Sequence, residues 1–396
     1  MQTRVLGRSG VVVSEYCLGA MMFGQWGNRD HEECIRIAHK GFDAGINFVD
    51  TADVYSAGES EEIVGKAIAG RRDDLVVATK AHAPMGRDPN TRGNSRRWIQ
   101  REVENSLRRL GTEWIDLYQV HRPDEAVDID DTLGALSDLV HQGKIRYAGS
   151  STFPAEYIVE AQWVADRRGR ERFRCEQPPY SILVREIERS VLPTCQRYGI
   201  GVIPWSPLAG GYLTGRYRKG AEIPAGSRLS TRNFEDERER TIHERRIDTV
   251  EELLKVAADA GMTVTHLAIA FVLEHPAVSA AIIGPRKMDQ LDDLLAGTGV
   301  RLDADVLDRI DEIVPPGTSI SGADPWQPRS LRRKERRRPH GGCRPGRVES
   351  FPRRRLSTVP TPRSRQCPDD SREMAERALG EGANSRDQFC QRQIDE

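Results

Sequence analysis

Residues 45–55 read Gly-Ile-Asn-Phe-Val-Asp-Thr-Ala-Asp-Val-Tyr, and this stretch decides the fold class. It opens on a glycine that directly follows an amphipathic segment, continues as a short apolar run at 46–50, and ends in a polar loop. A short and nearly continuous apolar run is typical of a parallel strand that is buried on both faces. The glycine fits the end of the preceding helix, because helices commonly stop at a left-handed glycine. The stretch therefore predicts a junction from helix to buried strand.

Runs of the same kind recur along the chain, with amphipathic segments between them. Eight of them occupy residues 16–20, 46–50, 75–80, 116–121, 145–150, 173–177, 201–205 and 280–283. At 95–110 the apolar residues follow a helical stripe, with Ser95 as the predicted N-cap and Gly111 as the predicted stop. Eightfold alternation of strand and helix predicts an α/β protein with a closed (β/α)8 TIM barrel. An open, doubly wound sheet is the alternative.

Two segments depart from this alternation. At 4–13, Gly7 and Gly10 lie between apolar residues, which predicts an N-terminal β-hairpin that closes the floor of the barrel. Residues 207–246 form a long polar connection after the seventh strand, and connections of that length are usually functional or disordered. We expect a pair of helices to follow this connection, at 247–260 and 263–275.

From residue 322 onward the alternation stops. Residues 329–365 contain thirteen arginines and one lysine against two glutamates, and large aliphatic side chains are few. Such a segment cannot bury enough apolar surface to offset the entropy of ordering it. We therefore predict a barrel at 1–321 and an Arg/Pro-rich tail at 322–396, which is disordered apart from a short helix near 372–380. A frameshifted reading of the gene's end is a second explanation, and the abrupt change in composition favours it slightly.

Composition excludes several classes of protein. The 396 residues carry a net charge of −1, and no apolar run is long enough to cross a bilayer. The first ten residues lack the apolar core of a secretion signal, and the seven cysteines show neither a CxxC pair nor zinc-like spacing. The basic tail contains Phe351 as its single aromatic residue at 329–365, so it offers no platform for stacking bases. We expect a cytoplasmic protein that binds no metal, no membrane and no nucleic acid.

Four side chains with proton chemistry stand at or just after three consecutive strands. Asp50 ends the second strand, Tyr55 follows it by five residues, Lys80 ends the third strand and His121 ends the fourth. In a parallel barrel these strand ends share one rim, where barrel active sites occur. Taken singly, each residue has an ordinary explanation as a surface, capping or structural group. Their placement on successive strand ends favours a catalytic site.

The four residue types suit the reduction of a carbonyl group by a hydride that comes from elsewhere. A free tyrosine has a pKa of about 10, and a neighbouring ammonium such as that of Lys80 would lower it. Asp50 would keep Lys80 charged and oriented. Tyr55 would then donate a proton to the carbonyl oxygen, which His121 would hold by a hydrogen bond. General acid catalysis of this kind contributes about 10²–10⁴-fold to the rate.

These residues lie within motifs that resemble those of a known family. Residues 45–55, the Gly-Glu-Ser-Glu at 58–61 and the runs at 76–80 and 116–121 resemble, in the same order, the signature of the aldo-keto reductase superfamily. The resemblance extends from about residue 3 to about residue 317. It is strongest to the branch that includes bacterial general-stress reductases and potassium-channel β-subunits. It implies a (β/α)8 barrel that binds NADPH in an extended form, and the chain has no GxGxxG after a strand that would indicate a Rossmann domain.

The resemblance also implies the residues that bind the cofactor. Ser150 and Gln177 would hydrogen-bond the nicotinamide carboxamide, and Trp205 stands where a tyrosine usually stacks on the nicotinamide ring. The pyrophosphate loop would comprise Ser206, Pro207, Leu208, Gly210 and Leu213, with help from Thr214 and Arg216. The adenosine 2′-phosphate segment would comprise Gly284, Arg286, Gln290 and Asp293, which favours NADPH over NADH. Ser151 stands where the family usually has asparagine, so its contact with the nicotinamide carboxamide is less certain. Leu294 also stands where the family usually has asparagine, so one contact with the adenine is expected to be missing.

Pocket-lining positions are implied for Met22, Phe23, Trp26 and Trp98, although Trp98 fits the helix core equally well. The leading hypothesis is NADPH-dependent reduction of small aldehydes or ketones to alcohols, with Tyr55 as general acid assisted by Lys80, Asp50 and His121. The alternative is an NADPH-binding redox sensor or regulatory subunit with slow or no turnover. A third explanation is a product of a damaged reading frame, against which the intact tetrad argues. Monomer and homo-oligomer both remain open.

Overall fold

The computed structural model describes residues 1–230, 234 and 236–320. The strands are β1 Thr3–Val5, β2 Val12–Ser14, β3 Tyr16–Gly19, β4 Phe48–Asp50, β5 Val76–Ala81, β6 Ile115–Val120, β7 Ile145–Ser151, β8 Phe173–Gln177, β9 Gly201–Val202 and β10 Ala281–Ile283. The helices are α1 His31–Asp43, α2 Glu59–Ile68, α3 Arg96–Leu110, α4 Ile129–His141, α5 Ala155–Arg168, α6 Val191–Tyr198, α7 Glu237–Asp259, α8 Val264–Glu274, α9 Met288–Ala296 and α10 Ala304–Ile313. The predicted boundary between 321 and 322, the tail at 322–396 and its helix near 372–380 lie outside the described residues.

Strands β3 to β10 form the predicted parallel barrel. Their order is β10-β3-β4-β5-β6-β7-β8-β9, and each pair of neighbours is parallel. The two ends of this sheet meet, because Val202 N donates to Ala277 O at 3.2 Å and Ser279 N donates to Val202 O at 2.8 Å. Ile282 N also donates to Pro204 O, at 3.0 Å. The eight predicted apolar runs are thus the eight barrel strands, and the alternative of an open sheet is excluded.

The N-terminal hairpin is present and closes the floor of the barrel as predicted. β1 and β2 pair antiparallel, and Leu6 between them is buried in the barrel interior together with Cys17 and Phe48. Gly7 adopts a φ of +56°, and a Cβ on it would lie 2.4 Å from the backbone nitrogen of Gly201. Only glycine therefore fits where the hairpin approaches β9 so closely.

Helix α3 begins and ends where the sequence predicts. The Ser95 side chain caps its N-terminus by accepting a hydrogen bond from Trp98 N, and Gly111 ends it in the left-handed conformation with a φ of 62°. Apolar residues such as Val103 and Leu110 are fully buried, which explains the stripe seen in the sequence.

The long connection after the seventh strand is shorter than predicted. Helix α7 begins at Glu237 rather than 247, and the Asp236 side chain caps it by accepting from the backbone nitrogens of the next turn. Its first turns are exposed and charged, so they carry no apolar periodicity, and burial begins only at Ile247.

No single helix in the described part is long and apolar enough to cross a membrane. The pair α7 and α8 meets that test jointly, with an 89° bend between them.

Candidate active site

The four predicted catalytic residues come together at the carboxyl ends of β4, β5 and β6. The Lys80 ammonium donates to Asp50 Oδ2 at 2.6 Å, to the Thr51 carbonyl oxygen at 2.6 Å and to the Tyr55 hydroxyl at 3.3 Å. The Tyr55 and His121 rings meet edge to face, with centroids 5.8 Å apart. Strand pairing brings these side chains together, because β5 pairs with β4 on one side and β6 on the other.

A second layer of polar side chains holds Asp50. Gln119 Nε2 and Gln177 Nε2 donate to Asp50 Oδ1 at 3.1 and 2.8 Å, so both carboxylate oxygens have donors. All three residues are buried. Gly149 makes room for this arrangement, since a Cβ on it would lie 3.0 Å from Gln119 Cγ. A fully partnered buried carboxylate of this kind is rigid and stays aimed at its lysine.

The turn that carries Tyr55 is itself braced from behind. Tyr55 opens a short 3-10 turn that ends at Gly58, and a Cβ on Gly58 would lie 2.8 Å from Arg109 Cδ. Arg109 bridges two fully buried carboxylates, Glu61 and Glu102, at 2.6 Å each. Gly58 of the sequence motif leaves room for Arg109, and Glu61 of the motif pairs with it. These contacts join α2 to α3 and hold the turn that carries Tyr55 in place.

The pKa of Tyr55 corrects one expectation. Desolvation by burial raises the pKa of this phenol above its ordinary value, and the charge of Lys80 opposes that rise without reversing it. The effect of Lys80 on the pKa of Tyr55 has the expected direction, but desolvation has the larger effect. Burial alone would lower the pKa of Lys80, but Asp50 and Tyr55 raise it, so the ammonium stays charged. Burial and the charge of Lys80 lower the pKa of His121 well below 6.5, so the imidazole is neutral.

A cavity of about 560 Å³ opens above the tetrad. The predicted residues that line it are Met22, Trp26, Asp50, Tyr55, His121, Gln177, Trp205, Ser206, Pro207, Leu208, Gly210, Gly284, Arg286, Gln290 and Asp293. Thr214 and Arg216, which the resemblance offered as helpers at the pyrophosphate, line it as well. Lys80 does not line the cavity. It is fully buried beneath it and donates hydrogen bonds to Asp50 and Tyr55, which do line it.

Four predicted binding residues do not line this cavity. Ser150 is buried and donates its hydroxyl to Glu176 Oε2, while its neighbour Ser151 faces the cavity instead. Leu213, Phe23 and Trp98 are buried in the core, at 0%, 0% and 2% exposure. For Trp98 the helix-core explanation is thus the correct one. For Ser150 the reason is the alternation of faces along β7: Gly149 and Ser151 face the barrel interior, whereas Ser150 between them points outward to Glu176.

The segment after β10 forms the opposite side of the cavity. Arg286 N donates to Gln290 Oε1 at 2.8 Å, and the Arg286 carbonyl accepts from Asn28 Nδ2 at 2.8 Å. These bonds fix the backbone from which the Arg286 guanidinium projects. Arg216 and Arg228 from the long connection line the same cavity. These three arginines thus line the cavity, and the resemblance places two of them, Arg216 and Arg286, at the phosphates of the cofactor.

Several lining residues were not among the sequence predictions. Met21, Arg122, Tyr217 and Arg228 line the cavity, and Gln119 supports Asp50 beneath it. Arg122 could have been found, since it directly follows His121 at a strand end. Arg228 lies in the long connection, where no periodicity indicates which side chains face inward. Among the described residues, no group of three histidine, cysteine or acidic side chains could hold a metal ion.

Comparison with known proteins agrees with this geometry. The model of the aldo/keto reductase family matches residues 15–315. A Bacillus subtilis protein named an uncharacterized oxidoreductase, YrpG, is 38% identical over 339 residues, which cover 82% of this chain and 100% of that protein. A rice protein named a probable voltage-gated potassium channel subunit beta is 36% identical, covering 79% and 97%. The versiconal hemiacetal acetate reductase of Aspergillus parasiticus is 33% identical, covering 79% and 96%.

The family match spans the whole barrel, from the first barrel strand to the residues after α10. It includes every strand end that supplies the tetrad and every segment that lines the cavity. The relatives are matched over nearly their full length and carry oxidoreductase or channel-subunit names. The chain therefore belongs to the aldo/keto reductase family, and its activity class is that of an oxidoreductase.

Proposed function

We propose that the protein reduces aldehydes or ketones to alcohols with NADPH, and that Tyr55 donates the proton. The observation that carries this proposal is the Lys80 ammonium, which bonds both Asp50 and the Tyr55 hydroxyl at the base of the cavity. NADPH supplies a hydride to the carbonyl carbon when it is bound. A proton donor next to that position is what the reaction then requires.

The chain's own residues divide the work on the oxygen. Tyr55 and His121 both line the cavity with their rings in contact, so one carbonyl oxygen can lie within reach of both. Neutral His121 donates one hydrogen bond and fixes the oxygen's position. Tyr55 transfers its proton as negative charge develops there, and Lys80 stabilises the phenolate that remains. Asp50 holds Lys80 in place through the transfer.

The residues around the cavity fit a dinucleotide phosphate. Trp205 offers a flat face next to the tetrad, and its Nε1 is a buried donor without a partner within the described structure. Gln177 and Ser151 provide polar groups beside it, in the manner expected for a carboxamide. Arg286 would hold the 2′-phosphate, and Arg216 and Arg228, which line the same cavity, would share the phosphate charge. This donor set supports NADPH over NADH.

A second candidate function is a redox sensor that binds NADPH and regulates a partner. The observation in its favour is the printed name of the rice relative, a probable potassium channel subunit. The two functions share the cofactor and differ in turnover. For either one we propose a cytoplasmic location, which the four free, buried cysteines of the described chain support.

Steady-state oxidation of NADPH with a panel of aldehydes, ketones and quinones separates the two candidates. The reductase proposal predicts turnover with at least one carbonyl class. Tight NADPH binding without turnover on the whole panel would favour the sensor. Fluorescence titration with NADPH and NADH tests the cofactor, and Arg286→Ala should weaken NADPH binding while leaving the weaker NADH binding nearly unchanged. Equal effects on both nucleotides would contradict the role given to Arg286.

A further inference from the structure

The carboxyl ends of β7 and β8 carry polar side chains on both faces of the barrel wall. Strand pairing sets Ser151 beside Gln177 and Ser150 beside Glu176. Ser151 and Gln177 line the cavity, whereas the Ser150 hydroxyl donates to Glu176 Oε2 on the other face. The buried Glu176 carboxylate therefore lies behind the two groups that we assign to the nicotinamide carboxamide.

The Glu176 carboxylate holds the bend that follows β7. Its Oε1 accepts from Phe153 N at 3.0 Å, and its Oε2 accepts from the Ser150 hydroxyl. Between these two anchors Thr152 has a φ of +58°, which is rare for a threonine. A backbone of this kind costs free energy and persists only where the surrounding contacts hold it. The carboxylate thus bonds both ends of the strained bend that carries Ser151.

The charge of this carboxylate decides how firmly it holds the bend. An ionised carboxylate accepts hydrogen bonds on both oxygens, whereas a protonated one has turned one oxygen into a donor. Protonation of Glu176 would therefore force the Ser150 hydroxyl to become an acceptor. It would also weaken the bond from Phe153 N, because hydrogen bonds to an ionised acceptor are the stronger ones. The bend is held most firmly by the ionised form.

Burial brings the ionisation of Glu176 into the neutral range. It raises the pKa of this carboxyl from an ordinary value of 4.5 to about 7. The bonds from Ser150 and from the backbone of the bend oppose that rise without cancelling it, as does the charge of Arg122, which follows β6. The side chain thus changes its charge near pH 7 while the bend around it stays the same in sequence and partners.

The other titratable groups that interact with Glu176 keep their charge in this range. The thiols of Cys175 on β8 and Cys195 on α6 have pKa values that burial raises, so both stay neutral. The Arg122 guanidinium stays charged at any of these pH values. Among the described elements, β9 and the buried face of α5 carry no titratable side chain. Glu176 is therefore the group of this cluster that titrates near neutrality.

We propose that the Glu176 carboxylate positions Ser151 and Gln177 for the nicotinamide carboxamide of the cofactor, an inference that rests on the proposed function. Glu176 does not line the cavity, so it acts through the bend and not by touching the cofactor. Because protonation loosens the bend, NADPH binds more tightly to the ionised form. The affinity for NADPH then falls as pH falls through about 7.

The first test is Glu176→Gln, which keeps the size of the side chain but, like the protonated acid, offers one acceptor oxygen. We expect the Kd for NADPH, from calorimetric titration at about pH 8, to rise about three- to tenfold. The second ligand is 2′,5′-ADP, which carries the adenosine phosphate but no nicotinamide, and its Kd should stay the same. Glu15→Gln is the matched control, because this buried carboxylate precedes β3 at the opposite end of the barrel. It should leave both Kd values unchanged.

The pH dependence is a readout that a merely structural role would not move. The ratio of the Kd for NADPH in Glu176→Gln to that in the wild type should fall to about one near pH 6. Protonation of the cofactor's own phosphate, with a pKa of about 6, is common to both proteins and cancels in this ratio. Ser150→Ala removes the bond that most lowers the pKa of Glu176. It should therefore shift the midpoint of the pH profile to higher pH.

The outcomes separate this inference from the proposed function. Equal losses of affinity for NADPH and 2′,5′-ADP in Glu176→Gln, or a ratio that does not change with pH, would overturn the inference alone. Failure of the wild type to bind NADPH would overturn both. If Glu176→Gln does not fold, Ser150→Ala decides, since a midpoint that stays at its wild-type pH would overturn the role of Glu176.

Discussion

Replacing Lys80 with methionine tests the buried ion pair at the base of the site. Lys80 is fully buried, and its ammonium bonds to Asp50, to the Thr51 carbonyl and to Tyr55. Methionine has a similar length and fills the same space without a charge. The Asp50 carboxylate would keep its bonds from Gln119 and Gln177 but would lose its cation.

The expected cost is large because the carboxylate stays buried. Removing one partner of a buried pair typically costs about 3–5 kcal/mol of the free energy of unfolding. The loss of the ammonium should also raise the pKa of Tyr55 further, since Lys80 is the main group that opposes the effect of burial. We therefore expect kcat to fall by about 10²-fold or more as Tyr55 becomes a poorer acid.

A double variant separates charge from packing. In Asp50→Asn/Lys80→Met neither member of this pair carries a charge, so the double variant should be more stable than Lys80→Met alone. Urea unfolding followed by circular dichroism gives the free energies, and NADPH oxidation gives the rates. A cost below about 1 kcal/mol for Lys80→Met, or single effects that simply add in the double variant, would show that Asp50 and Lys80 are not coupled as a buried ion pair.

Three further predictions concern neighbouring groups. The pKa of His121 lies well below 6.5 in the folded chain, so as pH falls below about 6.5 the imidazole is protonated in the unfolded chain but not in the folded one, and the free energy of unfolding decreases. His121→Asn should reduce this decrease, which urea midpoints measured from about pH 7 to 5 can determine. Ser151→Ala should weaken NADPH binding about three- to tenfold, and Ser150→Ala should weaken it less, as fluorescence titration can determine; equal effects would contradict the placement of the two serines. Gly149→Ala should lower the free energy of unfolding by about 1–3 kcal/mol, because its methyl group would meet Leu117 at 3.0 Å; unchanged stability in urea would show that the barrel can relax there.

Much of the fold was predictable because burial leaves a simple trace in the sequence. Barrel strands are covered on both faces, so they appear as continuous apolar runs, and all eight were found. The tetrad was predictable as a group for a topological reason, since parallel strands end at one rim. The start of α7 was missed because its first turns are solvated and carry no apolar period.

The finer features of the site depend on effects that a linear pattern does not carry. Ser151 rather than Ser150 faces the cavity because successive side chains of β7 point to opposite faces, and which serine points inward depends on how β7 sits in the barrel. Leu213 follows two glycines with left-handed backbone conformations. Side chains there follow neither a helical nor a strand period, so the sequence position of Leu213 does not predict which way it points. The pKa of Tyr55 depends on how completely its hydroxyl is desolvated, which is a property of the packed site.

Tyr55→Phe is the most direct test of the proposal that Tyr55 donates the proton in a carbonyl reduction. The change removes one hydroxyl and keeps the ring that packs against His121. Tyr147→Phe is the matched control, because that hydroxyl bonds to Ser9 in the N-terminal hairpin, far from the rim. With a carbonyl substrate that the wild type reduces, we predict that kcat falls by about 10²-fold or more in Tyr55→Phe while NADPH affinity stays nearly constant. Turnover in Tyr55→Phe at a rate close to that of Tyr147→Phe and the wild type would show that Tyr55 is not the proton donor.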